Sequence, residues 1–292
     1  MLPALRVDQA LVSRGLAASR TAAQRLIDAG RVYFADTDTV LKKASQLVAS
    51  DEVLEVRAAA DGLPGEDRYV SRGGLKLEGA LAAAGLGAGA LSGRIALDVG
   101  LSTGGFADCL LQAGVAKVIG VDVGHGQLHA RLAAEPRLIS LEGVNARHLS
   151  REWLDEHLAN LPSHEEADAS TPAFTSVPAA GFDLIVGDVS FISLTLVLPA
   201  LAPLLGANGD LLMLVKPQFE VGREHIGRGG LVRDAAQYAQ VETKIRTACE
   251  SLGLTVAGWF DSPITGGDGN REFFVHATHA TAACVPHEPL SR

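Results

Sequence analysis

Three acids and one lysine stand at the ends of apolar runs, where an α/β chain sets its working groups. The runs are Ile95-Ala-Leu-Asp98, Lys117-Val-Ile-Gly-Val-Asp122, Ile185-Val-Gly-Asp188 and Leu211-Leu-Met-Leu-Val-Lys216. In an open parallel sheet, residues at the carboxyl ends of strands face the crevice in which ligands bind. After Asp98 the chain turns through Gly100, Ser102, Thr103, Gly104 and Gly105 to Phe106 and a helix. Asp122 comes 24 residues after Asp98, followed by Val123, and is placed to grip the hydroxyl pair of a ribose. Ser102 and Thr103 replace a full run of glycines, so the close backbone approach needed by a pyrophosphate is not built in. The pattern therefore predicts S-adenosylmethionine and not a dinucleotide.

A glycine turn between strand and helix is generic on its own. Asn145, after the third strand, adds a further polar group at the same rim; it either bonds the adenine edge or caps the helix that starts at Ala146. Asp188 is aimed at the methyl-donor end. A lysine closing five apolar residues is expensive to desolvate, so Lys216 either reaches solvent or pairs with Asp188 on the neighbouring strand, and the pairing is the better reading. Lys76, in Ser71-Arg72-Gly-Gly-Leu-Lys76, either enters the core or clamps RNA phosphate. Glu272, taken alone, reads as a surface carboxylate.

The elements that must position these groups alternate. Strands are predicted near 95–99, 118–122, 137–141, 182–187, 210–215, 254–260 and 272–278, with helical crossovers between most of them and a helix from about Lys76 to Ala84. The last two strands are joined by a glycine-rich turn, which implies an antiparallel end to an otherwise parallel sheet. Before this domain, apolar spacing at Val7, Ala10, Leu11 and at Ala22, Leu26, Ile27 predicts two short helices, with Ser19 as a cap and Gly15 and Gly30 as stops. Strands at Arg31–Phe34 and Asp51–Val56 complete a small α+β module. The expected organisation is a small domain over 1–60, a linker over 61–70 within a Gly/Pro-containing polar stretch, and a catalytic domain over 71–280. Residues 160–180 read as an insertion and the chain from about 280 as a frayed end.

Composition bounds the function classes. With 292 residues and 47% hydrophobic content the chain can bury a large core. No apolar run reaches the roughly 18 residues of a spanning helix, and the N-terminus lacks the layout of a secretory signal. The three scattered cysteines point to a reducing compartment, with the cytoplasm as default. The nine histidines show no metal-ligand spacing, so no metal is implied. The net charge of −9 disfavours nucleic acid globally, yet the first 34 residues hold five arginines against two acids. Arg6, Arg20, Arg25 and Arg31 there, with Arg72 of the second domain, are the RNA-contact candidates.

The ordered segments SRGGLKL (71–77), LDVGLSTGGF (97–106), VDVGHGQL (121–128), GDVSFISL (187–194), LVKPQFEVGRE (214–224) and GNREFF (269–274) resemble the TlyA (haemolysin A-like) family of ribosomal RNA 2′-O-methyltransferases. The resemblance covers nearly the whole chain. It implies an S4-like RNA-binding domain followed by an FtsJ-like, Rossmann-like (class I) methyltransferase domain that uses S-adenosylmethionine on ribosomal subunits, with cytidine as the nucleoside. It also implies a catalytic Lys-Asp-Lys-Glu tetrad at Lys76, Asp188, Lys216 and Glu272. Leu101 stands where the family usually has a small residue, and it is expected to crowd the methionine end of the cofactor. A pore-forming protein and a small-molecule methyltransferase are the competing readings; the first needs amphipathic or spanning segments that the sequence lacks, and the basic N-terminal helices disfavour the second.

Overall fold

The computed structural model describes residues 5–17, 20–28, 32–37, 39–50, 52–56, 68–161, 174–227 and 229–280, without the side chains of 21, 22, 25, 28 and 88. The expected cap at Ser19, the stop at Gly30, Arg31, most of the linker, residues 162–173 of the insertion, the tail from 281 and the side chain of Arg25 lie outside the described residues. The chain divides into two units, Met1–Glu66 and Asp67–Arg292.

In the first unit, helices Val7–Ser13 and Arg20–Asp28 pack with a three-stranded antiparallel sheet in which Val32–Phe34 lies between Thr39–Val40 and Leu54–Val56. A second pairing, Leu5–Arg6 with Leu47–Val48, closes the module. Its core is Val7, Ala10, Leu11, Ala23, Ile27, Val32, Leu41, Val48 and Leu54. Three arginines are tied down here. Arg6 and Arg20 both bond the buried Asp8 carboxylate, and these two guanidinium contacts draw its pKa down to about 2. Arg14 donates to the carbonyls of Ala49 and Glu52.

The second unit begins with helix α1 (Gly73–Ala83) and continues with strand β1 (Ile95–Val99), helix α2 (Gly105–Gln112), β2 (Lys117–Asp122), β3 (Leu138–Glu142), α3 (Arg151–Ala159) and β4 (Phe182–Gly187). Strand β5 (Leu205–Val215), helix α4 (Ala235–Ser251), β6 (Leu254–Asp261) and β7 (Phe273–His279) complete it. The seven strands form one sheet in the order β6-β7-β5-β4-β1-β2-β3. Strands β1 to β5 run parallel, whereas β7 is antiparallel to both β5 and β6. Alternate residues of each inner strand feed two cores, as expected for a sheet covered on both faces. Leu97, Val99, Ile119 and Val121 enter the core that includes Leu154 of α3 and Val241 and Ile245 of α4. Ala96, Val118, Leu184 and Val186 enter the one that holds Leu77 of α1 and Leu110 of α2.

Two boundaries differ from expectation. Helix α1 starts at Gly73, not near Lys76, and Gly74 in its first turn serves close packing and not flexibility: a Cβ there would stand 2.3 Å from the Tyr69 ring. Strand β5 starts at Leu205, since the register with β4 shifts between Leu205 and Asp210 and accommodates Gly206 and Gly209.

Candidate active site

The strand order brings the chemistry-bearing ends together. Strand β4 lies between β1 and β5, so Asp188 after β4 stands between the glycine turn after β1 and Lys216 after β5. Glu272 directly precedes β7, whose first residue Phe273 pairs with Val215 at the end of β5. Lys76 comes from the first turns of α1. The result is two ion pairs: Lys216 Nζ sits 2.5 Å from Asp188 Oδ1, and Lys76 Nζ sits 2.6 Å from Glu272 Oε2. They share one electrostatic neighbourhood. Burial pushes the Glu272 carboxyl above its usual range while Lys76 pulls it down, and Lys216 and Asp188 also act on it. Glu272 is thus buried, unlike the surface carboxylate its sequence context suggests, and Lys76 is a core lysine.

Lys216 Nζ also donates to Ser190 Oγ at 2.6 Å, a partner the sequence reading missed. Its only signal was its place two residues after Asp188. The next residue, Phe191, is a second omission. It is 91% exposed, its φ is +63°, and its ring leans on Phe219 with centroids 5.1 Å apart. A non-glycine residue held in that backbone region stores strain that its surroundings must impose.

The turn after β1 is built for close approach. Gly100 has φ +88°, Gly104 φ +90° and Ser102 φ +47°. A Cβ on Gly100 would meet the Asp188 carbonyl oxygen at 2.7 Å. Gly100→Ala is therefore expected to pry the two loops apart and lower stability by about 1–3 kcal/mol, with loss of cofactor affinity; thermal melting and isothermal titration check it, and an unchanged affinity would contradict it. Ser102 N–H and Gly124 N–H each donate to one oxygen of Asp122, at 2.8 and 2.7 Å, which orients the carboxylate and leaves lone pairs free. Val123 beside it is 72% exposed. Asn145 acts as a cap, its side-chain oxygen accepting from the Arg147 N–H at 3.1 Å.

One cofactor candidate, Phe106, and one residue expected to obstruct the cofactor, Leu101, are both buried. Phe106 is buried and stacks on Phe274, so only its backbone can face the crevice. Leu101, expected to crowd the cofactor, is instead 3% exposed and packs over Gly120, where any side chain would collide with it. The absent Cβ of Gly120 is what makes room for the Leu101 side chain.

Asp98 is fully buried and neither of its oxygens meets hydrogen-bond geometry. Burial and the nearby Asp188 carboxylate raise its pKa to about 8, with Asp122 adding to the rise and the Ala107 N–H of α2 opposing it. Three carboxyl groups thus crowd one rim, and among the described residues Lys216 is the lysine in contact with them. A cation carrying both a sulfonium and an ammonium fits that charge pattern.

A sheet of this order, with a glycine turn after its first strand and paired lysines and acids on its carboxyl rim, defines a Rossmann-like methyltransferase. Comparison with known proteins narrows the class. The FtsJ-like methyltransferase family matches residues 69–279 and the S4 domain family matches residues 5–34. The 16S/23S rRNA (cytidine-2′-O)-methyltransferase TlyA of Mycobacterium tuberculosis is 39% identical over 270 residues, 92% of this chain and 88% of that protein. Hemolysin A of Brachyspira hyodysenteriae is 32% identical over 93% of this chain and 99% of its own length. A solved structure from Streptococcus thermophilus, provisionally described as a hemolysin, superposes with a TM-score of 0.66 at 36% identity, over 96% of this chain and 90% of that one. The chain belongs to the TlyA family of methyltransferases, an S4 domain followed by an FtsJ-like catalytic domain.

Proposed function

We propose that this enzyme methylates the 2′-hydroxyl of a cytidine ribose in ribosomal RNA, with S-adenosylmethionine as donor and ribosomal subunits as substrate in the cytoplasm. The observation that carries the reading is Lys216, held between Asp188 and Ser190 at the rim beside the glycine turn, with the Lys76–Glu272 pair next to it. When bound, the donor supplies a methyl group already activated by positive sulfur. Asp122 would hold its ribose hydroxyls, Val123 would offer an apolar face to adenine, and the backbone of Gly100 to Phe106, with Asp98, would receive the methionine end.

The remaining task is to bring one hydroxyl into line and manage its proton. Lys216 Nζ stands at the rim beside the glycine turn, and Asp188 and Ser190 fix its direction. In the ammonium form Lys216 stabilises a developing alkoxide; in the amine form it accepts the proton. Both make Lys216 catalytic and leave Lys76 and Glu272 to set the field around it. The exposed, backbone-constrained Phe191 provides a face on which a splayed-out base can stack, which favours RNA over a small molecule. In the S4 module, Arg6 and Arg20, aimed jointly by Asp8, remain solvent-accessible for phosphate, as does Arg72 in the catalytic unit.

Purified ribosomal subunits incubated with methyl-labelled cofactor are expected to take up label at a cytidine ribose, located by nuclease mapping. Binding to the subunits is expected to weaken steeply as salt rises, by about tenfold or more between 50 and 200 mM. Label appearing only on bases, protein or small molecules would overturn the proposal.

A further inference from the structure

The segment LVKPQFEVGRE holds an acid that the chemistry above does not use. Glu220 ends the short helix Pro217–Glu220 that follows Lys216, and its side chain is 1% exposed. Its carboxylate is fully engaged across three segments. Oε2 accepts from Ser193 Oγ at 2.5 Å and from Lys244 Nζ of α4 at 2.9 Å, and Oε1 accepts from the Leu194 N–H at 2.7 Å. Lys244 Nζ also donates to the Glu220 carbonyl at 2.8 Å. Ser193 and Leu194 lie on the loop that begins with Asp188, Ser190 and Phe191.

We propose that Glu220 is a positioning residue for methyl transfer: it bolts the loop carrying Asp188, Ser190 and Phe191 to the segment carrying Lys216, and Lys244 anchors the bolt to α4. The physical case is that this loop holds a strained, exposed phenylalanine, and strain of this kind persists only where the surroundings over-determine the backbone. Two contacts do so: the Phe191–Phe219 ring pair on the outside and the Glu220 hydrogen bonds on the inside. Both originate in residues within four positions of Lys216. The separation between Lys216 and its partners Asp188 and Ser190 is thereby set by one buried carboxylate that has no access to substrate. A buried acid with each oxygen engaged is costly to leave half-satisfied, so loss of the carboxylate frees the loop.

This inference rests on the proposed RNA 2′-O-methylation, and its test separates the two. In Glu220→Ala, kcat for RNA methylation is expected to fall by about 30- to 100-fold, since a displacement near 1 Å can cost that much. The cofactor dissociation constant, measured by calorimetry, should stay within about twofold, because the turn after β1 and Asp122 are not held by Glu220. Ser193→Ala should lower kcat several-fold alone and add little in the Glu220→Ala background, the non-additivity of one shared contact. Hydrogen exchange on the protein without substrate should show the Leu194 amide losing protection while the amides of β1 and β2 keep theirs. Glu220→Gln, which preserves volume and one acceptor, carries the test if alanine prevents folding. A kcat within twofold of wild type in the Gln variant, additive effects in the double variant, or equal losses of kcat and cofactor affinity would overturn the positioning role. Wild-type protein that methylates no RNA would instead strike the proposed function, and the exchange measurement would still judge the bolt.

Discussion

Replacing Lys216 with alanine is expected to reduce methyl transfer by about 10²- to 10⁴-fold, the range for removing a group that handles a proton in the transition state. Lys216 is the cation in contact with Asp188, and its ammonium also reaches Ser190. Its loss removes the group proposed to handle the proton and leaves Asp188 without its ion-pair partner. Cofactor binding should persist in this variant, since the turn after β1, Asp98 and Asp122 are untouched. Single-turnover methylation and equilibrium binding, measured side by side, check the split. Full methyl transfer by the alanine variant would remove Lys216 from the chemistry in both of its candidate roles.

Asp98→Asn is expected to raise stability and to weaken cofactor binding. The ordinary carboxyl value is 3.8, and in the fold this group rises to about 8, with burial the leading cause and Asp188 the next. The folded protein therefore holds a proton that the unfolded chain has released, and its stability falls as pH rises from about 4 to about 8. Asparagine cannot ionise, so the variant should lose that slope and melt several degrees higher near pH 8, at about 2–4 °C per kcal/mol for a domain of this size. It should also bind the cationic cofactor about tenfold or more weakly, a loss of about 1.4 kcal/mol. Melting curves across pH 5–9 and calorimetric titration read both effects. Parallel pH profiles for the two proteins would show that Asp98 is not the source of the slope. A gain in stability coupled to a loss of binding marks a residue retained for its ligand and not for the fold.

Much of this arrangement was legible in the sequence. Apolar runs ending in an acid or lysine marked four strands of the large sheet, β1, β2, β4 and β5, because inner strands of a parallel sheet are buried on both faces and must read as continuous hydrophobic stretches. The glycine-rich connection before Phe273 announced the antiparallel strand. Lys216 and Asp188 could be paired because their strands were expected to be neighbours. Other features depend on three-dimensional proximity that spacing does not encode. Glu272 looked exposed because its partner Lys76 is 196 residues away. Leu101 looked obstructive because nothing along the chain ties it to Gly120. Phe106 looked like a lining residue until its ring met Phe274. Ser190 and Phe191 are visible in the GDVSFISL segment but carry no assignable role there, since a serine and a phenylalanine after a strand have no pattern of their own. The positive φ that gives Phe191 its prominence is a property of the folded loop alone.

The reversed direction of β7 has a consequence for how this enzyme can change. An ascending strand would deliver its final residue to the reactive edge, whereas this descending one delivers the position just before its first. Glu272 therefore hangs from the zipper of Val215 with Phe273 and Met213 with Val275, and from the hairpin that leads into it, whose Ser262 N–H donates to the Glu272 carbonyl at 2.9 Å. That hairpin also packs on the carboxylate, since a Cβ on Gly266 would stand 2.6 Å from Glu272 Oε1. A slip of one rung in the zipper would swing the carboxylate to the opposite side of the sheet.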